Sequence, residues 1–392
     1  MGGAPTTSVT ASSGASAPST GSGEPPPADE AVAYQINAAH TGAVENDTLT
    51  PPLTTRWTVD LGAGVSYPLI AGGRVFVTIG SSTVTAKLVA LDQKTGKTLW
   101  GPVELGGHFA WSHAVYAEGK VFTLNSDGQL RAFEAATGNE LWSLQLPNKG
   151  GYFGAPPTAY GGKIFISGVN TFSPFFAVDQ ATGMLTWTQV EYTGGSGSSP
   201  VVSATAAYFT CACGGVCGFD RTTGEPIWPP FLAQCLSTTA RDAILFEDRF
   251  YIRDASFTLD GDPDAIFDAK TREIVGSFTQ NTQVAFHNGR AFFVAQDALV
   301  ARSTPELKQL WSLPGDGFIW SRPIVVNGRV YFLTTATAVV AVDEQTGAPV
   351  WSTYLNPGEI SDIGSQGSPA TGLAAGGGAL LVPWGNFLSA LW

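Results

Sequence analysis

Four cysteines are the residues best suited to chemistry in this 392-residue chain. They are Cys211, Cys213, Cys217 and Cys235, and no other part of the sequence contains one. An even, clustered set in a chain with few lysines is most simply two disulfides formed in an oxidising compartment. We expect the pairs Cys211–Cys217 and Cys213–Cys235, although four cysteines allow three connectivities. The CxC and CxxxC spacings match no strong zinc pattern; a metal site and free thiols are the alternatives.

Two of the four histidines, His108 and His113, lie five residues apart. On a loop-to-strand stretch they do not form an i, i+4 ligand pair, and no cysteine or carboxylate lies beside them, so we predict no metal site there. The loop carboxylates Asp316, Glu359 and Asp362 are scattered, as solvated acids usually are. The sequence has no Gly-x-Ser-x-Gly, HExxH or phosphate-loop motif, so hydrolase and kinase chemistry has no support.

Aromatic side chains recur on segments that link one structural unit to the next. Exposed rings on loops favour a binding surface for a peptide, a strand or a sugar. The alternative is that the rings pack over the interior of the fold. The predicted partner-binding face consists of Tyr67, His108, Phe109, Trp111, His113, Tyr152, Phe153, Phe318 and Trp320.

A repeated nine-residue motif must position these residues. It has an acid first, Thr-Gly at the fourth and fifth places and Trp at the ninth. Self-similarity at a period of roughly 40 residues indicates a propeller or a solenoid. The copies are Asp92–Trp100 with Gly96, Glu134–Trp142 with Gly138, Asp179–Trp187 with Gly183, Asp220–Trp228 with Gly224, and Asp343–Trp351 with Gly347.

The motif is typical of a β-hairpin. The acid accepts N–H groups of the turn, and glycine takes the left-handed position that closes a short loop. A ring recurring once per unit suits a wedge between units, where its burial contributes about 2–3 kcal/mol. Two copies are degenerate: Arg272 replaces the glycine and Gly276 the tryptophan in one, while Ser303–Trp311 keeps only the tryptophan.

The units predict an all-β, eight-bladed propeller of four-stranded antiparallel blades. Counting Trp57, Trp100, Trp142, Trp187, Trp228, the Gly276 position, Trp311 and Trp351 gives eight. The last unit lacks a fourth strand, whereas a lone strand at about 54–60 carries Trp57 without a hairpin. We predict that this strand completes the last blade and leaves no free edge. Residues 368–371 are the predicted inner strand of that blade.

Composition bounds the partners and the compartment. The net charge is −12 and no basic stripe exists, which makes nucleic acid an unexpected partner. No apolar run reaches the 18 or so residues of a membrane helix. The composition of residues 1–33, rich in Gly, Ser, Pro and Thr, predicts a disordered tether. Residues 34–392 are predicted to form a single propeller domain, and we expect the protein to be a monomer.

The repeat, with an inner strand, xGxVyv and vxAxDxxTGxxxW, resembles the PQQ-like β-propeller repeat of BamB-type assembly lipoproteins and quinoprotein alcohol dehydrogenases. The tether resembles the mature start of bacterial lipoproteins, with Met1 where the lipidated cysteine would stand. BamB-type resemblance implies a non-catalytic extracytoplasmic scaffold that binds a protein, a peptide or a glycan and needs no cofactor. Quinoprotein resemblance implies the alternative, a dehydrogenase of alcohols or sugars with PQQ and Ca²⁺. That family uses adjacent cysteines, however, and this chain has Cys-Ala-Cys and no CxxCH haem motif.

Overall fold

The computed structural model describes residues 30–109, 111–147, 151–168, 174–190, 198–210, 216–229, 243–252, 264–278, 284–295, 298–315, 319–355 and 371–392. Every regular element in these ranges is a β-strand, and the strands form eight sheets. Contacts between innermost strands, including those of the eighth and first sheets, arrange the sheets in a ring around a central channel. The predicted eight-bladed propeller is confirmed.

Blades 1 to 4 are antiparallel and run outward from the channel in chain order. Blade 1 has strands Leu69–Ala71, Arg74–Ser81, Val84–Asp92 and Thr98–Glu104, with Gly64–Val65 paired to its second strand. Blade 2 has Ser112–Ala117, Lys120–Asn125, Gln129–Glu134 and Glu140–Gln145. Blade 3 has Thr158–Tyr160, Lys163–Ser167, Pro174–Asp179 and Leu185–Val190. The described strands of blade 4 are Val201–Val202, Ala206–Thr210 and Val216–Asp220.

Blades 5 to 8 repeat the arrangement. Blade 5 has Ala243–Phe246, Arg249–Ile252, Asp264–Asp268 and Ile274–Phe278, and blade 6 has Ala285–His287, Arg290–Ala295, Ala298–Ser303 and Gln309–Pro314. Blade 7 has Ile324–Val326, Arg329–Leu333, Ala338–Asp343 and Pro349–Tyr354, with Ala43–Val44 parallel to its inner strand. Blade 8 has Ala374–Gly376, Ala379–Trp384, Phe387–Leu391 and, as its fourth strand, Thr55–Asp60.

The N-terminal strand closes the ring as predicted. Thr55–Asp60 pairs antiparallel with Phe387–Leu391, and Trp57 lies opposite Ala390. The described inner strand of blade 8 is Ala374–Gly376, and residues 368–370 of the predicted inner strand 368–371 lie outside the described part of the chain. The following turn has positive φ at Gly377 and Gly378, and such a two-residue turn fixes where the strand before it must end.

The strand order gives the ring two different faces. The loop face carries the segments that link successive blades and those between second and third strands. The turn face carries the first-to-second turns and the turns of the repeated motif. On the turn face, Asp92 Oδ1 accepts hydrogen bonds from Thr95 Oγ1 at 2.7 Å and Thr95 N at 2.8 Å. These bonds, with the nearby Lys94 charge, lower the pKa of Asp92, as expected for a carboxylate that accepts several donors.

The repeated tryptophans lie between blades. The Trp100 indole of blade 1 donates its N–H to the Ala135 carbonyl in the motif turn of blade 2, at 3.0 Å. Gly138 closes that turn at φ +75°, and a Cβ on it would lie 2.6 Å from the indole ring. The glycine is therefore needed both for its left-handed backbone and for the close approach of the ring.

Residues 31–47, here called the channel segment, fill the channel at the turn face. Its carbonyls accept N–H groups from equivalent inner-strand positions of six blades: Ile70 to Ala31, Tyr116 to Val32, Val202 to Ala38, Leu245 to Ala39, Phe286 to Thr41 and Val325 to Gly42. His40 reaches Thr158 in blade 3, and Asp47 accepts from Gly378 in blade 8. The segment therefore contacts every blade before the chain enters the outer strand of blade 8.

This path corrects the predicted tether boundary. Ala31 and Ala33 are buried, so the ordered chain includes residues that the sequence assigned to the 1–33 tether. Composition did not predict this boundary, because small residues are common in disordered tethers and also fit into a narrow channel lined by eight inner strands. Residues 1–29 lie outside the described part of the chain, and their assignment as a tether stays a prediction.

Candidate functional site

An aromatic patch lies on the loop face where blades 1, 2 and 3 meet. The rings of Phe109 and Trp111 stack with centroids 4.3 Å apart and planes 3° from parallel. Tyr152 meets Phe109 edge to face at 5.9 Å, and His108 does so at 5.0 Å. Phe109 is 37% exposed and Tyr152 43% exposed. Solvent-facing rings in contact with one another form an apolar surface with a polar edge, which suits binding.

Backbone hydrogen bonds hold the patch in place. His108 N donates to Asp127 Oδ1 and Phe109 N donates to Ser126 Oγ, both at 3.0 Å. Asp127 and Ser126 belong to the second-to-third turn of blade 2, which Asn125 fastens to the preceding linker through a 3.0 Å bond to the Leu105 carbonyl. The linker is thus fixed to a turn, so the patch loses little freedom when a ligand binds.

Three residues of the predicted face are buried, and the prediction that they are exposed is wrong. Tyr67 donates its hydroxyl to the Ala114 carbonyl at 2.6 Å, and burial raises its pKa. His113 lies 3.2 Å from the Gly154 carbonyl, and burial lowers its pKa to about 4. Phe153 packs in the core of blades 2 and 3. Tyr67 comes just before the inner strand of blade 1, and His113 lies near the start of the inner strand of blade 2. The following blade or linker covers each side chain.

Two further residues of that face do not join the patch. Trp320 is half-buried and packs against the core cluster of blades 7, 8 and 1, while its backbone N donates to the Leu333 carbonyl at 2.8 Å. Phe318 lies outside the described residues, as do Asp316, Glu359 and Asp362. The structure therefore brings together His108, Phe109, Trp111 and Tyr152, and a role for them in partner binding stays a prediction.

The channel centre contains buried polar and aromatic residues that no sequence motif indicated. The Arg322 guanidinium lies 4.6 Å from the centre of the Tyr34 ring, a cation–π contact. Tyr34 also meets Tyr67 edge to face at 5.3 Å. Burial lowers the pKa of Arg322 to about 9 and that of His40 to about 4. His40 is thus neutral near pH 7 and serves to join the channel segment to Thr158 and Ser199.

The cysteine cluster is described only at Cys217. This residue is disulfide-bonded and buried in the core of blades 3 and 4. Cys211, Cys213 and Cys235 lie outside the described residues, so the pairings Cys211–Cys217 and Cys213–Cys235 stay predictions.

The sequence and the described residues do not match the cofactor pattern that the quinoprotein resemblance implies. That resemblance implies adjacent cysteines, whereas in the sequence Ala212 separates Cys211 from Cys213. Within the described ranges no three His, Cys, Asp or Glu side chains cluster as a metal site would require. The turn-face end of the channel is occupied by the chain's own residues. No catalytic step is therefore derived through PQQ or Ca²⁺.

Comparison with known proteins gives the family. A family model described as outer membrane protein assembly factor BamB matches residues 52–103, 85–241 and 265–386. The chain belongs to this PQQ-like repeat family. The predicted resemblance is confirmed, and it extends over nearly all of the propeller.

Individual relatives fall into two functional groups. The outer membrane protein assembly factor BamB of Escherichia coli K12 is 27% identical over 119 residues, which is 28% of this chain and 30% of that protein. The dehydrogenase subunit of the quinone alcohol dehydrogenase of Gluconobacter oxydans is 31% identical over 175 residues, 39% of this chain and 22% of that protein. The alignments thus span less than a third of either relative.

Solved structures show the same division and support the fold. The quinohemoprotein alcohol dehydrogenase of Comamonas testosteroni aligns with a TM-score of 0.67 at 15% identity, covering 93% of this chain and 80% of that one. BamB of Moraxella catarrhalis aligns with a TM-score of 0.61 at 15% identity, covering 86% and 99%. The described residues contain no helix long and apolar enough to cross a membrane.

Proposed function

We propose that this protein is a non-catalytic scaffold of the cell envelope that binds a polypeptide through the aromatic patch. The observation that carries the proposal is the stacked and exposed Phe109–Trp111 pair with Tyr152 beside it. Membership of the family described as outer membrane protein assembly factor BamB supports an envelope location and a protein partner. The acidic net charge of −12 favours partners that present apolar or basic rather than acidic segments.

The ligand best suited to this patch is an extended segment with apolar side chains. Rings alone supply apolar area, while the Tyr152 hydroxyl and His108 imidazole at the edge supply hydrogen bonds. No described group of the patch is a nucleophile paired with a base, which is the arrangement that covalent catalysis requires. Glycans also bind aromatic platforms, and a glycan ligand is therefore an outcome to test against.

Site-specific photo-crosslinking tests the proposal. A benzophenone amino acid at position 109 is expected to capture envelope polypeptides in cells, and Trp111→Ala in the same chain should reduce capture at least tenfold. The matched control is the photo-crosslinker at position 354, because Tyr354 is an exposed aromatic on the outer strand of blade 7. Equal capture at positions 109 and 354, or capture that survives Trp111→Ala, would reject the patch as the binding face.

Cell fractionation tests the location separately. The natural gene product is expected in the envelope fraction with its cysteines protected from alkylation until a reductant is added. Recovery in the cytoplasm with freely reactive cysteines would contradict an extracytoplasmic location. A lipid anchor, a two-disulfide arrangement and a monomeric state are parts of the same proposal, checked by detergent partitioning, mass spectrometry and sedimentation.

The second candidate is a quinoprotein dehydrogenase. It is favoured by the 31% identity over 175 residues to the Gluconobacter enzyme subunit. Such an enzyme should unfold at a higher temperature with Ca²⁺ and PQQ together, and should reduce a dye acceptor with alcohols or sugars. A protein that shows neither response is not a quinoprotein dehydrogenase.

A further inference from the structure

The junction between blades 5 and 6 lacks the indole that other described junctions contain. In six junctions a tryptophan of one blade donates its indole N–H, at 2.9–3.2 Å, to a carbonyl in the motif turn of the next blade. The pairs are Trp57 with Gln93, Trp100 with Ala135, Trp142 with Gln180, Trp187 with Arg221, Trp228 with Lys270, and Trp311 with Glu344. At the equivalent place in blade 5, Gly276 has no side chain to offer.

An open cavity occupies this place. Its volume is about 290 Å³, just below the roughly 300–1,000 Å³ of small-molecule sites. Ile266 is buried at its base, Leu307 is half-buried on the facing turn, and Val275 and Glu306 are exposed at its mouth. The lining residues are Arg249, Ile266, Val275, Gly276, Ser277, Pro305, Glu306 and Leu307. We call this cavity the vacant slot.

The junction of blades 4 and 5 shows how a ring fits when the motif glycine is missing. Arg272 takes the glycine's position at φ +61°, and its guanidinium lies 5.8 Å from the Trp228 ring centre. The indole N–H there bonds to Lys270, the second residue after the motif acid, at 3.0 Å. Leu307 takes the same position in blade 6 at φ +54°, so both turns have a residue other than glycine with positive φ at this place.

A hydrogen-bond acceptor for an indole is present in the vacant slot. The residue equivalent to Lys270 is Pro305, whose carbonyl accepts a 3.3 Å hydrogen bond from Arg249 Nη1. Arg249 and Pro305 both line the cavity, so this donor and acceptor lie at its wall. A donor from the chain's own arginine thus takes the place that the indole N–H has at the preceding junction.

We propose that the vacant slot binds an indole ring with a free N–H, supplied either by free indole or by a tryptophan side chain of another polypeptide. The ring would lie between Ile266 and Leu307, with its N–H toward the Pro305 carbonyl and the Arg249 guanidinium alongside. This site is on the turn-face side of the ring and is separate from the aromatic patch. It therefore stands or falls independently of the proposed scaffold function.

Fluorine NMR of the full chain tests the site with two probes, 5-fluoroindole and the N-acetyl amide of 5-fluorotryptophan. Binding is expected to shift or broaden the probe signal, and 5-fluoro-1-methylindole, which has no N–H, should bind at least tenfold more weakly. Binding of 5-fluoroindole alone identifies free indole as the source, and binding of both probes admits a tryptophan side chain. If neither probe binds, or if the methylated compound binds equally, the proposal is overturned.

Variants of the slot locate the binding. Gly276→Trp fills the cavity and should abolish binding, whereas Gly276→Ala is the matched control and should retain it, since the nearest atom to an added Cβ would be Ile266 Cδ1 at 3.3 Å. Leu307→Gly restores the motif glycine, widens the slot and should strengthen binding at least threefold. This gain cannot come from misfolding. Undiminished binding by folded Gly276→Trp, or unchanged binding by Leu307→Gly, would refute the assignment.

Discussion

The turn face and the loop face use aromatic side chains in opposite ways. On the turn face, Trp100 and its counterparts are wedged between blades with their N–H groups satisfied by neighbouring carbonyls. On the loop face, Phe109 and Tyr152 are exposed, and it is their backbone rather than their rings that is held. The comparison teaches that rings repeated with the blades stabilise the fold, whereas rings that occur once are free to bind something else.

Removing the channel segment would be the severest disturbance of the turn face. Deleting residues 1–47 removes the channel segment and leaves six inner-strand N–H groups without the carbonyls that accept them. At about 1 kcal/mol or more for each buried unmade bond, the loss is about 6 kcal/mol or more, comparable with the whole stability of many domains, about 5–15 kcal/mol. We expect no cooperative unfolding transition by circular dichroism. Deleting 1–29 is the control and should leave the transition unchanged.

Trp100→Ala should be the next largest effect, destabilising the protein by about 3–5 kcal/mol, because it empties an inter-blade site. The neighbouring residue supplies a matched control, since Leu99 is 46% exposed and Leu99→Ala should change stability by less than about 0.5 kcal/mol. Urea unfolding measures both. Equal destabilisation by the two changes would show that the indole is not a wedge.

Acid should weaken the channel before it affects the motif turns. His40 and His113 are buried, with pKa values of about 4 instead of 6.5, so the unfolded chain binds more protons between these values. Stability is then full above pH 6.5 and falls as the pH drops toward 4, by roughly 2 kcal/mol per histidine at pH 5. Urea midpoints from pH 7 to 4.5 should show this slope, and His113→Asn should reduce it.

Two other titratable groups, His287 and Asp92, limit the pH range of this prediction. His287 acts in the opposite direction: burial alone would lower its pKa, but Glu344 and Glu45 raise it. Its contribution is therefore present at low pH and lost as the pH rises above 6.5 through the raised pKa. Asp92 has a lowered pKa, so its contribution is lost only near and below its ordinary pKa of 3.8. A flat profile between pH 7 and 4.5 would contradict the burial of neutral histidines.

The smallest effects should come from one aspartate on each face. Asp92→Ala removes the acceptor of a mostly exposed turn, and Asp127→Ala removes the acceptor of the His108 N–H. Each should cost about 1 kcal/mol or less. Only Asp127→Ala should also weaken crosslinking from position 109, because it releases the linker that carries the patch. If Asp92→Ala weakens it equally, the patch does not depend on local fixation.

The repeat made most of the fold predictable. Asp, Thr-Gly and Trp at fixed spacing gave the blade number, and the solitary Trp57 strand indicated closure of blade 8. Irregular places were harder: residues 368–371 looked like an inner strand, and the described inner strand is Ala374–Gly376, which ends at the Gly377–Gly378 turn. Short strands are placed by turns and neighbours as much as by their own composition.

The site was less predictable, because the aromatic residues near the inner strands differ in exposure. Tyr67 and His113 are buried, whereas Phe109 and Tyr152 are exposed. A Ser-x-Pro pattern in the sequence could have indicated the residues that line the channel. In two copies of it, Ser66 and Ser321 accept hydrogen bonds from backbone N–H groups twelve positions later. The middle residues, Tyr67 and Arg322, enter the channel region. Sequence alone did not reveal the channel segment, since its hydrogen bonds come from its backbone and leave no side-chain pattern.

The closing strand sets a waiting time during biosynthesis. Thr58 meets Ser389 across a separation of 331 residues, so at about 5–20 residues per second the ribosome needs roughly 15–65 s to supply the partner. Until then the newly made blades form an open arc whose two terminal sheets have unsatisfied edges. An edge left open for that time can pair with another chain, and a slower ribosome would lengthen that exposure in proportion.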